Sequence, residues 1–340
     1  MRKSSRPAAV WLLGAAFACA VILAAAPATC DRGHWVMGPL RPNVTVHNAG
    51  QKAIIGWNGT EEVLILSTDL SAEANATVLE FLPLPAKPTE VAKADPRAFE
   101  MVEVLIAHHA PLKPKSAGGM GLTKGAARAA TPPPVQVVFH ERIDVHDITI
   151  AKVNRFEGFV SWARDFVAQR GGSLPSGGQG RLETVVRSYL MRGYRYFVFD
   201  IIEVAAKTKT VPPISYRFPS DHLFFPLLIS TLDTGETEVN LFLLTPHQRD
   251  GWGTRWPDVW QTGTGLAAGF YREPGRTYTN REPGTPIKFR VTAGEVERIS
   301  PALKGLFKGS DYVARFTAAT YRGPVSELVR DFIVTRGAAR

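Results

Sequence analysis

Short apolar runs separated by turn formers dominate the chain, and most are too brief for anything but strands. Residues 52–57 (Lys-Ala-Ile-Ile-Gly-Trp) form one such run and residues 62–67 the next. Asn58-Gly59 lies between them, the pair that suits a two-residue type I′ hairpin because both central positions need positive φ. Residues 77–82 predict a third strand that runs into Pro83, Pro85 and Pro88, which places those prolines at an edge or past the strand end. Asp95-Pro96 then caps a helix with Phe99, Val102, Leu105 and Ile106 on one face, ready to cover a sheet. Strands are predicted over 135–139 and 143–153. Helices follow over 156–168, stopped by Gly171-Gly172, and over 182–191, stopped by Gly193.

Residues 197–202 are apolar at both parities, which predicts a strand buried on both faces. Asp200 interrupts it and needs a partner there. Arg217, in the next predicted strand, is assigned that role as a structural pair. Residues 223–229 and 239–245 read as two strands joined through Asp233-Thr-Gly-Glu236 as a hairpin turn. Beyond Pro246 the periodicity weakens. Strands are predicted over 286–292 and 312–320, a short helix around Ile299, Leu303, Leu306 and Phe307, and a last amphipathic helix over 325–334. The pattern predicts an α+β fold with mixed, mostly antiparallel sheets flanked by helices. Its expected parts are an irregular lead-in over 29–47, a main domain over 48–247 with a mobile loop over 111–134, and a C-terminal α+β extension over 248–340 packed against it.

Composition changes the picture mainly at the N-terminus. The chain has 340 residues and a net charge of +9, and Arg2, Lys3 and Arg6 precede an apolar run over 10–26 and Ala26-Pro27-Ala28. That is the layout of a signal peptide over 1–28 with cleavage before Thr29, and the run is shorter than the roughly 20 residues a spanning helix needs. The expected destination is export, periplasmic or extracellular, with no transmembrane segment in the mature chain. A lipid anchor at Cys30 is not favoured, because Pro27 and Thr29 stand where a lipobox wants a Leu-like and a small residue. Cleavage would leave Cys30 alone, so no internal disulfide is expected. The remaining +6 forms no dense basic cluster, which argues against nucleic acid. Lys113, Lys115, Lys124 and Arg128 read as a solvated linker.

An ordered series of short motifs resembles a known family. It comprises Gln51-Lys-Ala-Ile-Ile with Trp57-Asn-Gly, Leu82-Pro-Leu-Pro, Val145-His-Asp-Ile-Thr-Ile, Phe159-Val-Ser-Trp162, Tyr189 with Gly193, Tyr196-Phe-Val-Phe, and Tyr216-Arg-Phe through Pro226-Leu. Over about residues 50–247 the chain resembles the exported bacterial and archaeal family catalogued as domain of unknown function 2330. The resemblance implies export and an α+β domain. It supplies no activity and no catalytic residues.

Two groups of residues could carry chemistry. His140, Glu141, Asp144, His146 and Asp147 offer imidazoles and carboxylates, the donors of a zinc site with a general base to spare. His140-Glu141 lacks the second histidine of a helical zinc motif. On one extended strand His140 and His146 would stand about 20 Å apart, so they converge only across a hairpin or bulge. The second group is Trp252, Trp256 and Trp260, with Arg249, Arg255 and Asp258 nearby. It could stack on a sugar or a partner protein, or pin an irregular loop to the core. His108-His109 ends the first helix, where adjacent side chains diverge and a cationic helix end is the simpler role. No Gly-rich phosphate loop or nucleophile elbow is present. The preferred reading is an exported, non-catalytic binding module whose partner is an envelope protein or polysaccharide, with no cofactor. The alternative is a metal-dependent hydrolase, with zinc as the metal, using His140, Glu141, His146 and Asp147.

Overall fold

A computed structural model describes residues 33–37, 46–72, 75–109, 134–172, 179–206, 211–232, 235–246, 270–273, 276–279, 287–309 and 311–335. Two large sheets dominate it. The first is five-stranded: β1 (Gly33–Met37), β4 (Ala76–Leu84), β8 (Tyr196–Val204), β7 (His146–Val153) and β6 (Val135–Ile143), in that spatial order and antiparallel throughout. The second runs β14 (Ile287–Thr292), β15 (Tyr312–Pro324), β11 (Glu236–Pro246), β2 (Val46–Trp57), β3 (Glu61–Ala72), β9 (Ile214–Pro219) and β5 (Glu90–Lys93). It is antiparallel except for β11 on β2, which run parallel. Two small ladders complete the described strands: β10 (His222–Phe225) with β16 (Phe332–Thr335), and β12 (Phe270–Glu273) with β13 (Arg276–Thr279).

The alternation of strand side chains sorts the apolar residues into separate layers. Ile55, Trp57, Leu64, Leu66, Leu82, Ile148, Ile150, Val198, Tyr216 and Leu241 meet between the sheets. On the outer face of the first sheet, Phe81, Phe197, Phe199 and Ala151 are covered by α2 (Phe159–Ala168) and α3 (Gln179–Met191). On the outer face of the second, Ile54, Val63, Ile65, Phe242 and Phe316 are covered by α1 (Arg97–His109) and α4 (Ala293–Ile299). The order of layers is therefore helices, sheet, sheet, helices. The fold is α+β with mixed, mostly antiparallel sheets, as the sequence pattern predicts.

Local chemistry explains the element ends. Asp95 Oδ1 accepts from Arg97 N at 2.9 Å, and α1 buries Phe99, Val102, Leu105 and Ile106. Gly193 (φ 89°) ends α3 while Tyr194 N donates back to Tyr189 O, a turn that needs the left-handed conformation. Pro83 pairs with Phe197 of β8, and its other side lies beyond the reach of β1, whose last partner on β4 is Phe81.

The structure departs from the sequence expectations in five places. The lead-in contains β1, and β2 starts at Val46. The Asn58-Gly59 turn is not type I′: Gly59 has positive φ (100°), but among the described non-glycine residues only Asp144 does. Residues 223–229 and 239–245 do not form a hairpin; β10 pairs with β16, and a 3-10 turn over Leu228–Leu232 leads away from it. Residues 325–334 are not a helix but a 3-10 turn at Val325–Glu327 followed by β16. The C-terminal stretch is no appendage, because β14 and β15 extend the second sheet and β16 completes the ladder with β10. Residues 110–133, which take in nearly all of the predicted mobile loop, lie outside the described residues.

Candidate functional site

The β6–β7 hairpin carries the polar cluster that the sequence singles out. Its turn places Asp144 at φ 58°, and Lys93 of β5 donates to Asp144 Oδ2 at 2.5 Å, clipping the hairpin of the first sheet to an edge of the second. That bond, and the ammonium charge behind it, hold the Asp144 carboxyl below its usual value. The register pairs Ile143 with His146, Arg142 with Asp147, Glu141 with Ile148 and His140 with Thr149. Cross-strand partners share a face, so the hairpin divides the cluster in two.

His140 and Asp147 share the face that α2 covers. His140 Nδ1 lies 2.8 Å from Thr149 Oγ1 and 3.4 Å from Asp147 Oδ1, and Arg170 Nε is 3.7 Å from Asp147 Oδ2. His146 points the other way, between the sheets, and is buried. Its Nδ1 lies 2.7 Å from Asp200 Oδ2 and its Nε2 2.9 Å from Pro212 O. A carbonyl oxygen only accepts, so Nε2 donates to it. The bond through Nδ1 gives Asp200 Oδ2 a partner away from water, while Asp200 Oδ1 has none among the described residues. Glu141, on the same face parity as His146, is exposed. The four proposed metal and hydrolase residues do not converge, because the pleat sends alternate residues to opposite sides.

Asp200 is buried as predicted, but its partner is His146 and not Arg217. Arg217 stands on β9 opposite Val63, on the outer face of the second sheet. There its guanidinium reaches Glu61 Oε2 at 2.5 Å, Glu90 Oε2 at 3.7 Å and the carbonyls of Ala302 and Lys304. The signal for His146 was present in the sequence. His146, Ile148 and Ile150 alternate in phase, as do Val198, Asp200 and Ile202, so both polar residues share a parity with core residues. Trp252, Trp256 and Trp260 lie outside the described residues, as do Cys30 and the predicted signal segment. Among the described residues, no helix is long and apolar enough to cross a membrane.

Further polar groupings appear that the sequence reading does not assemble. Glu62 is buried between the sheets. Its Oε2 accepts from Phe224 N at 2.7 Å, and burial, only partly offset by that bond, pushes its carboxyl well above the usual range. Asp331 is buried where Tyr189 OH (2.8 Å), Arg192 Nη1 (2.5 Å) and the N–H groups of Leu227 and Leu228 converge on it, tying α3 to the chain before β16. Beside it, burial lifts the Tyr194 hydroxyl to about 12, and that hydroxyl lies 3.0 Å from His222 Nε2. Finally, His108, His109 and Glu295 each place one donor atom within 4.8 Å of the others, the one such trio of His, Cys, Asp or Glu among the described residues.

The family described as an uncharacterized protein conserved in bacteria (DUF2330) matches residues 26–322. The chain belongs to this family. The match extends the motif-level resemblance, which stops near residue 247, across β14 and into β15, two strands of the second sheet. No curated protein matches the chain. Among solved structures it is similar to baculovirus P35, at 8% identity and a TM-score of 0.45, over 87% of this chain and 98% of that one. It is also similar to a mutated baculovirus P35 after caspase cleavage (9% identity, TM-score 0.41, 85% and 100% covered). A third similar structure is the caspase-8/P35 complex (6%, 0.41, 85% and 96%).

Proposed function

We propose that the chain is an exported, non-catalytic binding module of the cell envelope, and that it engages an extended segment of an envelope protein along the outer edge of β6. The observation that carries this reading is the state of that edge. β6 is the last strand of the first sheet, and among the described residues no strand pairs with its outer side. Gln136, Val137, His140, Glu141 and Arg142 are exposed along it. Charges guard the turn end and prolines the start, but residues 135–139 (Val-Gln-Val-Val-Phe) are uncharged and of high strand propensity. An open edge of that kind is a template for strand addition, in which the main chain supplies affinity and alternate side chains supply selectivity.

Export rests on the N-terminal sequence layout, and is tested by fractionation with N-terminal sequencing of the recovered protein. A start at Thr29 in the exported fraction supports it; a cytoplasmic chain that retains residues 1–28 overturns it. The edge is tested by co-sedimentation with isolated envelopes, using the Val137→Lys variant, which places a charge on the strand without touching the core. The variant is expected to lose most retention while keeping its melting temperature, and protease-treated envelopes are expected to retain neither protein. Equal retention of the variant overturns the edge. Retention that survives protease treatment and is competed away by soluble polysaccharide overturns a protein partner.

A further inference from the structure

We propose that His108, His109 and Glu295 form a site for a single divalent transition-metal ion, zinc or a similar borderline cation, where α1 meets α4. The site is separate from the β6 edge and from the cluster on the β6–β7 hairpin.

Two imidazoles and one carboxylate are the donors of an open zinc site, with a fourth position left to water. Bonds of roughly 2.0–2.2 Å set tetrahedral donors about 3.4 Å apart. Here the three donor atoms lie within 4.8 Å of one another, and His109 Nε2 already stands 2.7 Å from Glu295 Oε1. Entry of an ion needs that contact to open by less than about 1 Å and the His108 ring to swing inward, which an exposed side chain at a helix end can do.

Two of the three donors are fixed in advance. Glu295 is the third residue of a capping box: its Oε2 accepts from Thr292 N at 2.7 Å and from Thr292 Oγ1 at 2.8 Å, leaving Oε1 for the histidines. Hydrogen bonds of this kind to the far oxygen orient a ligating carboxylate. The His109 ring lies flat on Phe289 of β14, with centroids 4.4 Å apart and an interplanar angle of 6°, and Phe289 in turn stacks on Phe316. The His108 ring stands edge-on to His109 at 5.0 Å and is exposed, so the ion would be reached from solvent. Adjacent histidines alone diverge on a helix. The third donor, brought from α4 more than 180 residues later, is what makes a three-ligand set, and no local motif could have announced it.

The test is isothermal titration of zinc chloride, and separately nickel chloride, into tag-free, chelator-treated full-length protein. One ion per chain is expected, with at least a tenfold loss of affinity in His108→Ala and in His109→Ala, and no change in His140→Asn. His108→Ala is decisive, because among the described residues that exposed ring holds no hydrogen bond whose loss would unfold the protein; its melting temperature without metal should match the parent. Absence of binding for both ions, or unchanged affinity in His108→Ala, overturns the site and leaves His109 and Glu295 as a plain hydrogen-bonded pair joining two helices. Neither result bears on envelope retention, which reads the β6 edge alone.

Discussion

Glu62 is a carboxyl group set inside an apolar sandwich, and its energetics follow from which protonation state the fold tolerates. One oxygen accepts from Phe224 N; the other has no hydrogen-bond partner among the described residues. Burial raises its pKa well above the ordinary value, so the folded state holds a proton that the unfolded chain releases near pH 4.3. The stability this group contributes is complete below that unfolded value and is lost as pH rises toward the folded one, at up to about 1.4 kcal/mol per pH unit. Glu62→Gln mimics the protonated acid. It is expected to match the parent within about 1 kcal/mol at pH 4 and to exceed it increasingly toward pH 8, in urea unfolding measured across that range. Parallel stability curves for the two proteins would refute a proton held at Glu62. At this scale burial was legible in the sequence and partnership was not. Its interruption of an apolar strand marks Asp200 as buried. Sequence order points to Arg217 in the next strand as its partner, while the fold places that strand in the other sheet with Arg217 facing outward. His146 reaches Asp200 because β7 and β8 are neighbours in the first sheet, a pairing across 54 residues that no local pattern encodes.

Elements with chemical punctuation were the most legible. The Asp95 cap, the Gly193 stop and the period-3.6 apolar face of α1 each state a local free-energy preference, and the helices form where those preferences say. Segments decided by pairing were less so. Val325, Leu328, Val329, Phe332 and Ile333 have helical spacing, yet Val329 is exposed, and Phe332 and Val334 point into the inter-sheet core as β16 pairs with β10. The gain from that ladder outweighs a short and ambiguous periodicity. The Asn58-Gly59 turn teaches a related point. The hairpin was legible, but its mechanism was the side chain. Asn58 Oδ1 accepts from Thr60 N (2.9 Å), Thr60 Oγ1 (3.1 Å) and Glu61 N (2.9 Å), while Nδ2 donates to Leu306 O at 3.0 Å. Asn58→Ala removes all four and is expected to cost about 2 kcal/mol; Asn58→Asp keeps the acceptor and loses only the link to Leu306, for about 1 kcal/mol. Urea midpoints of the two variants decide it. An aspartate variant as damaged as the alanine one would move the weight from the turn to the Leu306 contact.

At the scale of the whole molecule, the decisive connection is made last. β11 receives β2 on one side and β15 on the other, and β15 pairs along the full length of β11, from Glu236 opposite Pro324 to Pro246 opposite Ala314. The same C-terminal stretch supplies Tyr321, Leu328, Phe332 and Val334 to the core between the sheets, and Ile287, Val291, Val296, Ile299, Leu303, Leu306 and Phe316 to the core beneath α1. A boundary near residue 247 looked natural in the sequence because the periodicity fades there. The structure instead shares both hydrophobic cores across it. Each buried Val, Leu, Ile or Phe contributes about 1.5–3 kcal/mol, so losing the ten of these types matches or exceeds the roughly 5–15 kcal/mol net stability of an ordinary domain, before Tyr321 is counted. It would also leave β11, now a long apolar strand, as an open edge. A chain ending at residue 247 is therefore expected not to fold: no cooperative thermal transition by circular dichroism, rapid proteolysis and aggregation. A cooperative transition in the truncated protein would show instead that residues 48–247 are an autonomous domain and that the later strands only add to a sheet already complete.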